Sequence, residues 1–315
     1  VDVGVVLPVE QVIPELGPIQ PYARVRALAL KAEELGFHSV WTGDHLLFRR
    51  FEMTPAIEGT QGAWESWTIL TALAEATSRI RLGPWVTATP LRNPAILAKM
   101  AATLDEVSGG RFILGLGSGW NRPTFDAFGV PFDHPVDRLT EALQIIVPLL
   151  RDGHVDFHGR YFTANDCAIV PRGPSPHGPP ILIAAQRPRM LRLAARYADL
   201  WNRSTGYPTI PATREEFLAG MDEACAEVGR DPATLGLTVR LFMGFPKAGP
   251  MPPIFTEGSY INGKEGAAET LRAYAGLGAS LAFVQMYPCN EAALEELAEA
   301  VELAHAAVPA DGTLQ

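Results

Sequence analysis

Short β-branched or apolar runs alternate with longer stretches of helical periodicity eight times along this chain. That rhythm constrains the fold strongly, because two parallel strands can pair only after a crossover, and a helix is the usual crossover. Eight such units close into an α/β, (β/α)8 TIM barrel, a fold whose single domain often outgrows the size at which other architectures divide, so residues 1–315 are expected to form one domain. The candidate strands are Val3–Leu7, Ser39–Trp41, Arg81–Thr87, Phe112–Leu116, Ile181–Ala184, Asp199–Asn202, Thr238–Gly244 and Ala282–Met286.

The helices between them follow from spacing. Val25, Leu28, Ala29, Ala32 and Leu35 form one face of a first helix from Tyr22 to Leu35, stopped by Gly36. A third helix is capped by Asn93, starts at Pro94 and turns Ile96, Leu97, Met100, Ala101, Leu104 and Val107 to one side. Leu139, Leu143, Ile146, Val147 and Leu150 mark a fourth, which Pro148 should kink or shorten. Phe217, Met221, Cys225 and Val228, and then Leu294, Leu297 and Val301, mark later ones. Two segments break the rhythm. His154 to Pro180 has no helical pattern and reads as an excursion before the fifth strand, and Gly244 to Gly263, rich in Gly and Pro, reads as a long loop after the seventh. Only the second lies on the carboxyl face, where a barrel builds its site.

Composition narrows the partners. With 47% apolar and 19% charged residues the chain can bury a large core, and a net charge of −9 offers no electrostatic footprint for nucleic acid. No apolar run approaches the roughly 18 residues of a membrane span, and Val1 leads into a strand without a leader-like segment, so neither anchor nor export signal is expected. Cys167, Cys225 and Cys289 are too scattered for a disulfide framework or metal knuckle, which points to a reducing, cytoplasmic setting. The histidines show no metal-ligand spacing, and no metal is expected.

Chemistry on this fold belongs where strands end. The second ends in Gly43-Asp44-His45; histidine titrates near neutrality and can donate or accept a proton, although an Asp-His pair is also a common turn. Trp85, at the end of the third, could back a flat ring or simply pack in the barrel. The fourth ends in Gly115-Leu116-Gly117-Ser118-Gly119-Trp120, whose alternate glycines would let a planar ligand or its polar tail approach the backbone. This spacing is not a dinucleotide fingerprint, a P-loop or a nucleophile elbow. The fifth runs through Ala184-Ala185-Gln186-Arg187 into a helix beginning near Pro188, where free N–H groups and Arg187 could cradle a phosphate or form a plain turn.

The runs Gly36 to His45, Asn93-Pro94 to Trp120, and Pro179-Pro180-Ile181 through Ala198-Asp199-Leu200-Trp201 resemble the luciferase-like flavin monooxygenase and coenzyme F420-dependent oxidoreductase superfamily, over about residues 1–300. The resemblance implies coenzyme F420, with FMN as the alternative, and a small organic substrate. It implies that Asp44 contacts the cofactor and that His45 faces substrate as catalytic proton donor or acceptor. A non-proline cis peptide at Trp85–Val86, followed by Thr87, would support the back of the ring; Ser118 would approach the ribityl chain; and Ala184, Ala185, Gln186 and Arg187 would hold the phosphate. Trp64, Trp120, Arg203 and Arg240 would shape the substrate pocket. The chain departs from its relatives in two places. Ala184-Ala185 stands where two glycines are frequent, and Trp120 occupies the place of a catalytic glutamate in some deazaflavin sugar-phosphate dehydrogenases, which disfavours glucose 6-phosphate. The same likeness implies a homodimer. It leaves three readings: hydride exchange with F420, oxygenation with reduced FMN from a separate reducing enzyme, and ligand binding without turnover.

Overall fold

The structure is a computed structural model and describes residues 1–11, 17–52, 54, 57–204, 210–252 and 260–306. Strands β1 (Asp2–Val6), β2 (Ser39–Thr42), β3 (Arg81–Pro84), β4 (Leu114–Gly117), β5 (Ile181–Ala184), β6 (Leu200–Ser204), β7 (Gly236–Gly244) and β8 (Leu281–Tyr287) pair in parallel in sequence order, and β8 returns to β1. All eight expected strands are present. The ring shuts at β3 by a division of labour. Arg81–Pro84 pairs with β2, whereas Thr87 and Ala88, just beyond, pair with Leu116 and Gly117 of β4. Between the two pieces the Trp85–Val86 peptide is cis.

Around the sheet lie α1 (Tyr22–Glu34), α2 (Ser66–Ala76), α3 (Pro94–Val107), α4 (Pro135–Arg151), α5 (Pro188–Tyr197), α6 (Met221–Val228), α7 (Gly263–Gly276) and α8 (Glu291–Ala306). Their apolar faces and the outward strand residues form one large core that includes Val5, Leu28, Leu70, Leu97, Ile146, Val239 and Leu297. A second cluster fills the lower barrel, where Trp41, Ile113, Leu182, Leu281 and Phe283 converge and the Trp41 and Phe283 rings lie 4.4 Å apart. The barrel is therefore plugged from below, leaving its carboxyl end as the place for a ligand. Among the described residues no helix is long and apolar enough to cross a membrane.

Several local expectations are corrected. Asn93 caps α3, accepting from the N–H groups of Ala95 and Ile96 at 3.0 and 3.2 Å, but the buried face is rotated: Ala98, Ala102 and Asp105 are inside while Ile96 and Val107 are exposed. Pro148 neither ends nor shortens α4, which runs on to Arg151. The Phe217–Val228 helix is two, Arg214–Leu218 and α6. The excursion before β5 contains an antiparallel hairpin, His154–His158 with Thr163–Ala168. Its tip is held by Glu141 of α4, whose carboxylate accepts from the N–H groups of Arg160, Tyr161 and Phe162. The loop after β7 adds Ile261–Asn262 alongside Met243–Gly244, and its residues 253–259 lie outside the described set.

Candidate active site

Where β2 ends, the Asp44 carboxylate accepts the N–H of Ala88 at 3.0 Å and both arms of Arg92 at 2.6 and 2.9 Å. Arg92 also reaches Glu65 at 2.7 Å, and Glu65 caps α2 by accepting the N–H of Thr68. Three segments are thus clamped at the mouth. Burial pushes the Asp44 carboxyl up, and the Arg92 guanidinium and the Ala88 N–H pull against that. With its side chain wholly covered, Asp44 faces the wall of the mouth and its carboxylate is engaged there.

His45 turns the other way. Its imidazole lies between Phe48, 4.6 Å away, and Trp120, 5.0 Å away and edge-on, and Phe51 stacks on Trp120 at 5.9 Å. Its main-chain N–H donates to Glu10 Oε1 at 3.3 Å. Glu10, beyond the end of β1, was not found from sequence. A side chain at Gly43 would run into the Glu10 carboxylate. Trp64, 44% exposed, donates its indole N–H to the Gln20 carbonyl at 2.8 Å, outside the His45 cluster.

A polar layer caps the barrel plug. The Trp85 indole N–H donates to Asn202 Oδ1 at 2.8 Å, and Asn202 donates to Thr238 Oγ1 at 2.9 Å. The Arg240 guanidinium lies 4.3 Å over Trp85 and 3.9 Å over Phe242, and it donates to Gln285, whose amide in turn donates to the Tyr287 hydroxyl at 2.6 Å. Arg240 is therefore beside Trp85. Arg203 is not. It donates to the carbonyls of Glu216 and Phe217 and lies over the Phe217 ring, on the helix side of the sheet. Side chains alternate along a strand, so with Asn202 inside its neighbour must point out.

The glycines of β4 also require correction. A Cβ at Gly115 would collide with the Pro84 carbonyl, and one at Gly117 would come within 2.6 Å of Val86 Cγ2. The space a Cβ would need at these two positions is taken by the chain of β3 and the Val86 side chain just beyond it. Two other features fit a cofactor with a ribityl phosphate. The Thr87 hydroxyl is buried and has no hydrogen-bond partner among the described residues. At α5, Arg187 occupies the N-cap without a cap bond from its own side chain and Pro188 follows, and the amino end of a helix is a common anion site. Gln186 and Arg187 are exposed there, Ser118 and Ala184 are half-buried, and Ala185 is buried with its N–H on the Asn202 carbonyl at 3.1 Å. Among the described residues no group of three or more His, Cys, Asp or Glu could hold a metal.

Comparison with known proteins gives the family. The model for the luciferase-like monooxygenase domain matches residues 1–244. Pyrimidine monooxygenase RutA of Enterobacter cloacae subsp. cloacae is 39% identical over 174 residues, 53% of this chain and 47% of that protein. The chain thus spans about half the length of the curated relatives it matches. In fold, it is similar to an F420-dependent secondary alcohol dehydrogenase solved with an F420–acetone adduct, with a TM-score of 0.77, 18% identity and coverage of 96% of this chain and 98% of that one. It is also similar to a riboflavin lyase solved with modified FMN and riboflavin, with a TM-score of 0.73, 14% identity and coverage of 94% and 90%. With the barrel, the divided third strand and a match over three quarters of its length, the chain belongs to the luciferase-like monooxygenase family.

Proposed function

We propose that this protein is an F420-dependent oxidoreductase acting on a small organic substrate at the carboxyl mouth of the barrel. The observation that carries this reading is His45, a titratable ring held between Phe48 and Trp120 with its main chain tied to Glu10. Two-electron reduction of an activated C=C, C=N or C=O carbon needs a proton for the neighbouring atom, and an imidazole is suited to give or remove it near neutral pH. Trp85 and Val86 would back the ring, Thr87 would donate or accept through its unpartnered hydroxyl, Ser118 would approach the ribityl chain, and the α5 amides with Gln186 and Arg187 would hold the phosphate. When bound, the deazaflavin supplies two-electron hydride chemistry, while the chain supplies orientation and the proton. Trp120, 38% exposed, bounds the substrate side of His45.

A second reading, oxygenation with reduced FMN delivered by a separate enzyme, is favoured by the 39% identity to a pyrimidine monooxygenase. Fluorescence titration of the purified apoprotein decides between them. Micromolar binding of F420, together with substrate-dependent oxidation of its reduced form, is expected; binding of FMN alone would replace this reading with the second.

A further inference from the structure

Outside the mouth, a cavity of about 310 Å³ lies between α4, α5 and the end of α6. It is lined by Arg189, Arg192 and Arg196 of α5, by Thr140 and Gln144 of α4, and by Leu193 and Tyr197. The three arginines recur at positions i, i+3 and i+7, so they share one helix face. On a chain of net charge −9 such a concentration of cations is conspicuous. Two acids offset it in part: Asp137 pairs with Arg189, and Glu227 lies 3.5 Å from Arg192. Arg196 has no acidic partner among the described residues and is exposed.

The direction of this groove gives it meaning. Arg189 is one residue beyond Pro188, so the groove reaches the first turn of α5, beside the amides that would hold the cofactor phosphate. From there to Arg196 the helix rises ~10 Å. FMN ends at its phosphate, but F420 continues beyond it as a lactyl-oligoglutamate chain with a carboxylate on each unit. We propose that this groove binds the acidic tail of F420, with Arg192 and Arg196 pairing its carboxylates; the inference rests on the deazaflavin reading above. Thr140 and Gln144 would hydrogen-bond the tail amides, and the exposed site would make the attraction dependent on salt.

The test is a fluorescence titration of the full chain with deazaflavins that share ring and phosphate and differ only in tail: a phospholactyl form without glutamates and a form with several. In the unmodified protein the long-tailed form should bind roughly five- to tenfold more tightly at low salt, a ratio that shrinks as salt is raised. In the Arg192→Gln/Arg196→Gln double variant, checked for folding by its circular dichroism melt, the ratio should fall to about one. Equal affinity for both forms in the unmodified protein would overturn the groove assignment and leave the deazaflavin reading standing. A ratio that survives in the double variant would place the tail elsewhere and overturn it as well. Binding of FMN with no binding of either deazaflavin would overturn both.

Discussion

A carboxylate without exposed surface depends on the guanidinium that grips both its oxygens, since without Arg92 the Asp44 carboxylate would be a buried charge with no cation beside it. Arg92→Met should therefore cost about 3–5 kcal/mol in urea unfolding at neutral pH. The sign of its pH dependence follows from Asp44. Burial already pushes that carboxyl up, and removing Arg92 removes the main opposing pull. A carboxyl raised in the folded state loses stability as pH rises through its folded value, so the variant should regain stability on acidification from pH ~8 to ~5; a urea midpoint that falls instead would contradict the account. His45→Asn should lower turnover by roughly 10²–10⁴-fold while cofactor fluorescence titration still reports binding. The place of Asp44 and His45 just past the end of β2 was legible because Gly-Asp-His interrupts an apolar strand end. Glu10 was not, since a single acid has no spacing signature and its partner His45 is 35 residues away.

Elements were legible where one apolar face dominates and were misjudged where a tertiary contact overrides local preference. Pro148 should disfavour a helix by about 3 kcal/mol. It lies near the end of α4, where Leu149 and Leu150 are buried, and their packing holds the last turn in place. Arg203 was misplaced because the phase of β6 is set by Asn202 bonding inward to Trp85 and Thr238, which a single strand does not announce. The same tertiary logic operates below the barrel. Glu33 on α1 accepts the N–H groups of Ser78 and Arg79 and the Ser78 hydroxyl, tying α1 to the turn before β3. Burial alone would push its carboxyl up, but these donors overrule that and hold it below the usual carboxylate range. A depressed carboxyl contributes stability that is complete above its unfolded value of ~4.3 and is lost as pH falls through its folded value. Glu33→Ala should thus destabilise the protein by about 2–3 kcal/mol at pH 7, with the difference narrowing in acid melts.

At the scale of the whole molecule, the barrel closes because one strand serves two neighbours, and β4 must be thin where β3 bends across it. Eight units could be counted in the sequence; how the last gap is shut could not, because closure depends on Pro84 and Val86 occupying the space beside Gly115 and Gly117. Those glycines read as room for a ligand when the strand is considered alone, and as room for the chain itself once β3 is beside it. Adding a methyl at Gly117 brings a Cβ within 2.6 Å of Val86 Cγ2, adjacent to the unpartnered Thr87 hydroxyl. Gly117→Ala should therefore cost about 1–3 kcal/mol through overpacking and weaken cofactor binding together, as Val86 and Thr87 shift. Gly276→Ala provides the contrast, since a Cβ there meets open space at the end of α7 and should stabilise the helix by up to ~1 kcal/mol. Thermal melts and cofactor titrations of the two variants separate the explanations: if Gly117→Ala is as harmless as Gly276→Ala, the fourth strand was left thin for a ligand, and the barrel does not depend on the bend in β3 for its closure.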